Sequence, residues 1–333
     1  MSSRSKIFEE LSFQKINEIV EQHFGKTAGI DILLLKGGLF NTTYKLTLSS
    51  PHHELILRVG PVNEQYLLPF ELNLMHAESR VYDLLAEKHI PCPTVLVCDS
   101  TRKIINRDYM ITEFIRSVPL SDETIPEDAK TELYEQIGEE TAEMHSIVGS
   151  KFGRVSDIQR NGGYDSWGDF LLAQVIEIGR KCCEYNVFDN DTVNRIIGLY
   201  ENNSWLYKNI TIPRLVHSDL WAGNVLVRLN NMKNKYELAA IIDADRALFG
   251  DIDFEFVSPW IINESFIKGY GDNDKHNDAN HQIKVDTYKL IYSFIDSFVW
   301  KVQYDNGVEY ENNKLSTTEL LKSLEAKLNN ING

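Results

Sequence analysis

Cysteine is scarce and poorly placed for chemistry. The four thiols, Cys92, Cys98, Cys182 and Cys183, form no C-x-x-C pair, which argues against a zinc cluster or dithiol redox motif and fits reduced thiols in a cytosol. Basic residues are outnumbered: 34 Lys and Arg face 49 Asp and Glu, a formal charge of −15. Such a chain repels phosphate backbones and anionic lipid, so neither nucleic acid nor a membrane is expected as partner. No apolar run approaches the ~18 residues that span a bilayer, and the opening MSSRSKIFEELSF lacks the apolar core of a secretory signal. A cytoplasmic location is the expectation. Internal repeats and low-complexity tracts are also missing, which excludes solenoid and fibrous architectures.

What is present is an ordinary globular composition, 43% hydrophobic and 25% charged over 333 residues, enough for two lobes. Apolar residues at helical spacing over 6–24 predict a first helix ending at Gly25. DILLLKGG, NTTYKLTL and ELILRVG then read as three strands of an antiparallel meander. A helix over about 70–88 stops before Ile90-Pro91, and TVLVC and DYMITEF complete a five-stranded sheet with one inserted helix. From Glu127 helical patterns dominate, at 127–147, 166–184, 191–208, 280–304 and 316–330, the last opened by Ser316 with Glu319 three residues on. The exception is 214–250, which reads as a small hairpin between helices. Ser117–Pro126, with two prolines, is the hinge candidate.

The most informative segment is His217-Ser-Asp219-Leu-Trp-Ala-Gly-Asn224, an aspartate five residues before an asparagine, in a loop running into a strand. Nineteen residues further on, Asp243 ends the apolar strand AAII. Phosphoryl transfer needs these residue types: a carboxylate to take or orient the hydroxyl proton, and an amide oxygen with a second carboxylate to hold the Mg2+ that bridges the phosphates. Rate then comes from positioning and charge neutralisation, which short loops off strands provide.

H-x-D-x4-N, then I-I-D, then F-G-D-I-D-F-E resembles the aminoglycoside phosphotransferase family, whose fold is similar to that of protein kinases. The resemblance covers most of the chain, since Gly37-Gly38-Leu-Phe-Asn41 also looks like the family's nucleotide-covering loop. It implies an α+β, two-lobed protein-kinase-like fold: residues 1–116 as the nucleotide lobe with the antiparallel sheet, residues 117–333 as a mainly helical lobe carrying catalysis and substrate. Asp219 would be the catalytic base, Asn224 and Asp243 the Mg2+ ligands, and His217 a prop of the loop. Gly37, Gly38, Asn41, Arg58, Glu78, Glu113 and Ile115 would face the nucleotide, with Glu78 pairing Arg58 where protein kinases carry lysine, and the 113–115 linker offering backbone groups to a purine. The implied reaction is ATP- or GTP-dependent, Mg2+-dependent phosphorylation of a hydroxyl on a small molecule, an aminoglycoside-like antibiotic first. The alternatives are a metabolic kinase of a fructosamine, sugar or amino alcohol, suggested by D-L-W-A-G-N, and a catalytically silent nucleotide-binding protein, suggested by Arg58.

Each residue also has a plainer reading. A lone H-x-D caps turns; Gly37-Gly38 is equally a β-turn; Glu78 alone is a solvated helix residue. Asp245 either aids Mg2+ or substrate binding or caps the following turn, and turn-capping is the commoner use. Trp221 either lines the substrate site or packs over the loop, with packing the commoner use. His145 reads as a core histidine, and Asp251 and Glu255 as structural. Asp253, Glu264, Asp272, Asp274 and Asp278 could draw in a cationic substrate, though acidity is spread over the whole chain.

Overall fold

A computed structural model describes residues 5–35, 38–257, 260–271 and 279–332; Gly37, Asp272, Asp274 and Asp278 lie outside them. The first helix, α1 (Phe13–Phe24), is shorter than its periodicity suggests. The Ser12 hydroxyl accepts the Lys15 N–H and starts it there, and Ile16, Ile19 and Val20 bury one face. Strands β1 (Ile30–Leu34), β2 (Thr42–Ser49), β3 (His52–Val59), β4 (Val95–Asp99) and β5 (Tyr109–Glu113) form one antiparallel sheet in the order β1-β2-β3-β5-β4. Along β2 the buried positions alternate, so one face carries Tyr44, Leu46 and Leu48 into a core shared with α1. Helix α2 (Leu74–Glu87) inserts between β3 and β4 and buries Met75, Ala77, Val81, Tyr82 and Leu85.

Those α2 residues share a core with Leu133, Leu215, Leu220, Val225 and Ile241 of the second lobe. The linker is anchored on that side too: β6 (Val118–Pro119) pairs with β9 (Val225–Asn230), and the Leu120 N–H reaches the Val225 carbonyl at 2.8 Å. The 214–250 segment is more than the expected hairpin. The hairpin itself is β9 with β10 (Lys235–Ile241), while β8 (Arg214–Val216) and β11 (Leu248–Gly250) form a second three-stranded sheet with β7 (Gly153–Arg154). Around them stand α3 (Glu127–Ser146), α4 (Val155–Asn161), α5 (Trp167–Glu184), α6 (Asn190–Asn202), α7 (Glu264–Tyr270), α8 (Ala279–Phe298) and α9 (Gly307–Asn332). Helix α9 begins nine residues before the expected Ser316. Asn306 caps it, its side chain accepting the Glu309 N–H at 3.2 Å, and Ser316 lies within the helix. A π-helical turn, Val299–Gln303, ends α8.

Helices α3 and α7 touch backbone to backbone. A Cβ on Gly138 would sit 2.1 Å from the Phe266 carbonyl oxygen, and one on Gly269 would sit 1.9 Å from that of Glu135. Glycine inside a helix ordinarily costs ~1 kcal/mol relative to alanine. Here the sign reverses: Gly138→Ala and Gly269→Ala should each destabilise the chain by about 2 kcal/mol or more, read as a lower denaturation midpoint in urea. An unchanged or raised midpoint would mean that the two helices do not approach this closely.

Candidate active site

The site is built where four chain segments meet. Strand β3 contributes Arg58, in the centre of its sheet. Helix α2 contributes Glu78, fully buried, and Tyr82 one turn later. The Arg58 Nη1 donates to Glu78 Oε1 at 2.7 Å, and its Nη2 pairs with Asp243 Oδ1 and stands 3.8 Å from Asp245 Oδ2. Tyr82 links the same groups: its hydroxyl donates to Glu78 Oε1 at 2.5 Å and accepts the Asp243 N–H at 3.0 Å. Asp243 holds a left-handed backbone, φ 64°, a conformation uncommon outside glycine that turns the chain sharply off β10.

On the other side, Asp219 and Asn224 are tied together. The Asn224 Nδ2 donates to the Asp219 carbonyl at 2.9 Å and to its carboxylate at 3.2 Å, which leaves the Asn224 Oδ1 as the atom to offer a cation. The Ile242 N–H donates to the Asn224 carbonyl at 2.9 Å, and His217 Nε2 meets the Ile242 carbonyl at 3.0 Å, so the 217–224 loop and the Asp243 turn are stitched to each other. Beneath them Glu255, buried, accepts the N–H groups of His217 and Ser218 at 2.6 and 3.1 Å. Tyr292 of α8 donates to the Ser218 carbonyl at 2.8 Å, and Ser218 is itself left-handed, φ 63°. His145 is buried with Nδ1 2.8 Å from the Tyr270 hydroxyl and Nε2 3.5 Å from Glu255.

Burial pushes the Asp219 carboxyl up to about 7, opposed chiefly by Arg246, and burial with the neighbouring Asp243 raises Asp245 to about 7. Burial likewise lifts Glu78 to about 8 against the pull of Arg58. Asp243 moves the other way: burial would raise it, but the Arg58 guanidinium outweighs burial and holds it below the usual range. His217 is lowered by burial, which favours the neutral ring. Carboxylate oxygens of Glu78, Asp243 and Asp245 lie within 4.8 Å of one another. Three carboxylates share one guanidinium, so the cluster carries about two negative charges more than it can balance when fully ionised. Hard oxygen donors with that deficit fit Mg2+, and the Asp243 side chain keeps 39% exposure for it.

One expectation needs correction. Asp245 does not cap the turn that follows; its side chain faces the sheet lobe, accepting from Asn41 Nδ2 at 3.4 Å and standing 3.8 Å from Arg58 Nη2. Trp221 packs over the loop from its surface, 45% exposed, with its ring against Gly223, where a Cβ would lie 2.3 Å away. The other positions divide. Asn41 is buried, and its Oδ1 has no partner among the described residues. Gly38 is exposed, with room for a Cβ only 3.1 Å from the Asn41 carbonyl, so the loop is tight there. Glu113 and Ile115 lie where β5 leaves the sheet, remote in sequence from the acidic cluster; the Phe114 N–H goes to the Glu54 carbonyl at 3.1 Å and the Ile115 carbonyl accepts Ser117 Oγ at 3.0 Å. Sequence reasoning missed Tyr82, Glu71, Arg246 and Tyr292. Tyr82 was within reach, since it lies four residues after Glu78 on one helical face.

A sheet lobe with one inserted helix, an Arg–Glu pair reaching from it, and an acidic turn beside a D-x4-N loop define a kinase-like phosphotransferase class. The model of the phosphotransferase enzyme family (APH) matches residues 31–279, and the chain belongs to that family. It is 24% identical over 235 residues to mouse acyl-CoA dehydrogenase family member 10, covering 68% of this chain and 20% of that protein, so it spans about a fifth of that relative's length. Among solved structures it is similar in fold to a protein from Thermobifida fusca provisionally described as a fructosamine-3-kinase (16% identity, TM-score 0.64, 96% of this chain and 100% of that one). It is also similar to the apo form of a thermostable aminoglycoside phosphotransferase APH(4)-Ia mutant (17%, 0.64, 92% and 98%) and to the GDP and kanamycin complex of APH(2")-IIIa (15%, 0.59, 93% and 98%). Among the described residues no helix is long and apolar enough to cross a membrane.

Asp296 of α8 adds a carboxyl that burial pushes up to about 6, opposed by Arg246. A carboxyl raised in the folded state contributes stability below its unfolded value near 4 that is lost as pH rises through about 6. Asp296→Asn should therefore be more stable than the parent at pH 8, by about 1–2 kcal/mol, and the gain should vanish only below the unfolded value, near about pH 3.5. Thermal melts at the two pH values check it; an equal effect at both would remove the titration from the account.

Proposed function

We propose that this chain is a small-molecule kinase that transfers the γ-phosphoryl group of ATP or GTP to a hydroxyl. The observation that carries the reading is the convergence of Asp219, hydrogen-bonded to Asn224, with Asp243, paired to the Arg58 that Glu78 also holds and close enough to bear on the Asp219 carboxyl. Asp219 acts as the base. Its raised carboxyl is a better proton acceptor than an ordinary aspartate once ionised, and it takes the acceptor's proton as that oxygen bonds to phosphorus and the bond to the diphosphate breaks. Asn224 and Asp243 would hold Mg2+, which neutralises charge on the β- and γ-phosphates when bound. Arg58, paired with Glu78 and Asp243, holds Asp243 in place and sets a positive charge beside the phosphates. Gly37, Gly38 and Asn41 cover the phosphates, and the Glu113 carbonyl and Ile115 N–H are assigned to the purine edge.

The preferred acceptor is an amine-bearing, aminoglycoside-like compound; solved relatives bind hygromycin B with AMP-PNP and kanamycin with GDP. A metabolic acceptor such as a fructosamine is the second reading, favoured by the exposed indole of Trp221 two residues from Asp219, a flat face suited to a sugar ring. The intact set of Arg58, Glu78 and Asp243 contacts speaks against a silent binding protein.

Nucleoside diphosphate release by the purified chain with Mg2+, over aminoglycosides, ketosamines and amino alcohols, tests the reading. Turnover on one class is expected, and Asp219→Asn should lower kcat by about 10²–10⁴-fold while nucleotide binding persists. Full activity in Asp219→Asn would remove Asp219 as the base, and silence of the parent on every acceptor would contradict the kinase assignment for these classes.

A further inference from the structure

Arg246 is a charge in the cleft that the reaction above leaves without a task. Its main chain is fixed to the Asp219 loop: the Arg246 carbonyl accepts Ser218 Oγ at 2.7 Å and Arg154 Nη1 at 2.8 Å. Its side chain crosses toward the sheet lobe, where Nη2 donates to Glu71 at 3.0 Å and the guanidinium lies 5.8 Å from the ring centre of Phe40 and 5.9 Å from that of Phe70. Glu71 is itself held, by the Leu68 N–H at 2.9 Å and the Gln303 amide of the π-helical turn at 2.5 Å. The fork is thus aimed between the Phe40–Asn41 end of the covering loop and the Asp219 loop. It keeps 24% exposure, and the Glu71 bond is its one donated bond among the described residues. The charge also bears on the carboxyls of Asp219, Asp243 and Asp245.

Resting on the kinase reading, we propose that Arg246 is a catalytic residue whose free N–H groups contact the γ-phosphoryl oxygens during transfer. As the acceptor oxygen bonds to phosphorus, its proton passes to Asp219, the bond to the β–γ bridging oxygen breaks, and that electron pair leaves with the diphosphate. Charge spread over the three equatorial oxygens meets the guanidinium fork, a geometry suited to bidentate phosphate contact. Neither neighbouring arginine substitutes for it. Arg58 has both terminal nitrogens on Glu78 and Asp243, and Arg154 is turned to Gln174 and the Arg246 carbonyl.

The test compares the parent, Arg246→Met and Arg246→Lys with Mg2+ and either ADP or AMP-PNP by calorimetry, alongside turnover. In Arg246→Met, ADP affinity should stay within about threefold while AMP-PNP affinity falls about tenfold or more, and kcat should fall on the order of 10³-fold, with lysine intermediate. A residue that only braces Glu71 would weaken both nucleotides equally, and that result overturns the proposal. A crystal structure of the parent chain with Mg2+ and AMP-PNP is independent of how the variants fold: an Arg246 nitrogen within about 3.2 Å of a γ-phosphate oxygen supports the assignment, and a guanidinium still confined to Glu71 and beyond hydrogen-bond reach overturns it. Normal turnover in both parent and Arg246→Met sinks this inference alone, whereas a parent that binds neither nucleotide sinks the kinase reading and this inference with it.

Discussion

Arg58 leaves the middle strand of a five-stranded sheet to face Glu78, Asp243 and Asp245 together, and a guanidinium so placed cannot stay buried unless those partners are brought to it. Removing an ion from water costs several kcal/mol, which an incomplete pair does not recover. Helix α2 must therefore dock with Glu78 inward, and the chain after β10 must turn sharply enough at Asp243 to present its carboxylate. Tyr82 joins both requirements, through its hydroxyl, to one side chain. The arrangement couples the sheet lobe to the Asp243 turn through charge as well as through the apolar core that α2 shares with the second lobe.

The same cluster is acidic beyond what its arginine balances, and burial is the leading reason that Glu78 and Asp245 sit well above the ordinary carboxylate range. A divalent cation would remove that mismatch, which is the physical ground for proposing a metal site at this acidic turn. The second lobe holds its half rigid by different means. Glu255 accepts two successive backbone N–H groups of the 217–224 loop, and the Tyr292 hydroxyl donates to the Ser218 carbonyl. The acidic residue at the end of F-G-D-I-D-F-E is thus a brace under His217 and Ser218.

Much of this was legible in the sequence because the signals were local. The five strands alternate or run apolar between turn residues, and the short spacings of D-x4-N and I-I-D point to Asp219, Asn224 and Asp243, which the fold does bring near one another. The failures were contacts between segments distant in the chain. Gly138 and Gly269 carry no sequence signal for the backbone contact that α3 and α7 make through them. Ser316 carries a sound capping pattern, yet Asn306 starts the helix earlier. Trp221 does pack over the loop, on Gly223, but from the surface rather than from the core. Glu71 and Arg246, 175 residues apart, carry no motif that links them.

The central claim is that this cleft binds a nucleotide through a metal, and the thermal midpoint of the chain with ATP and Mg2+ varied separately tests it most directly. A ligand that binds only the folded chain raises stability as RT ln(1 + [L]/Kd). ATP with Mg2+ should raise the midpoint by several degrees, while ATP with EDTA, or Mg2+ alone, should move it far less. An equal rise without the metal, or no rise with both, would contradict the account.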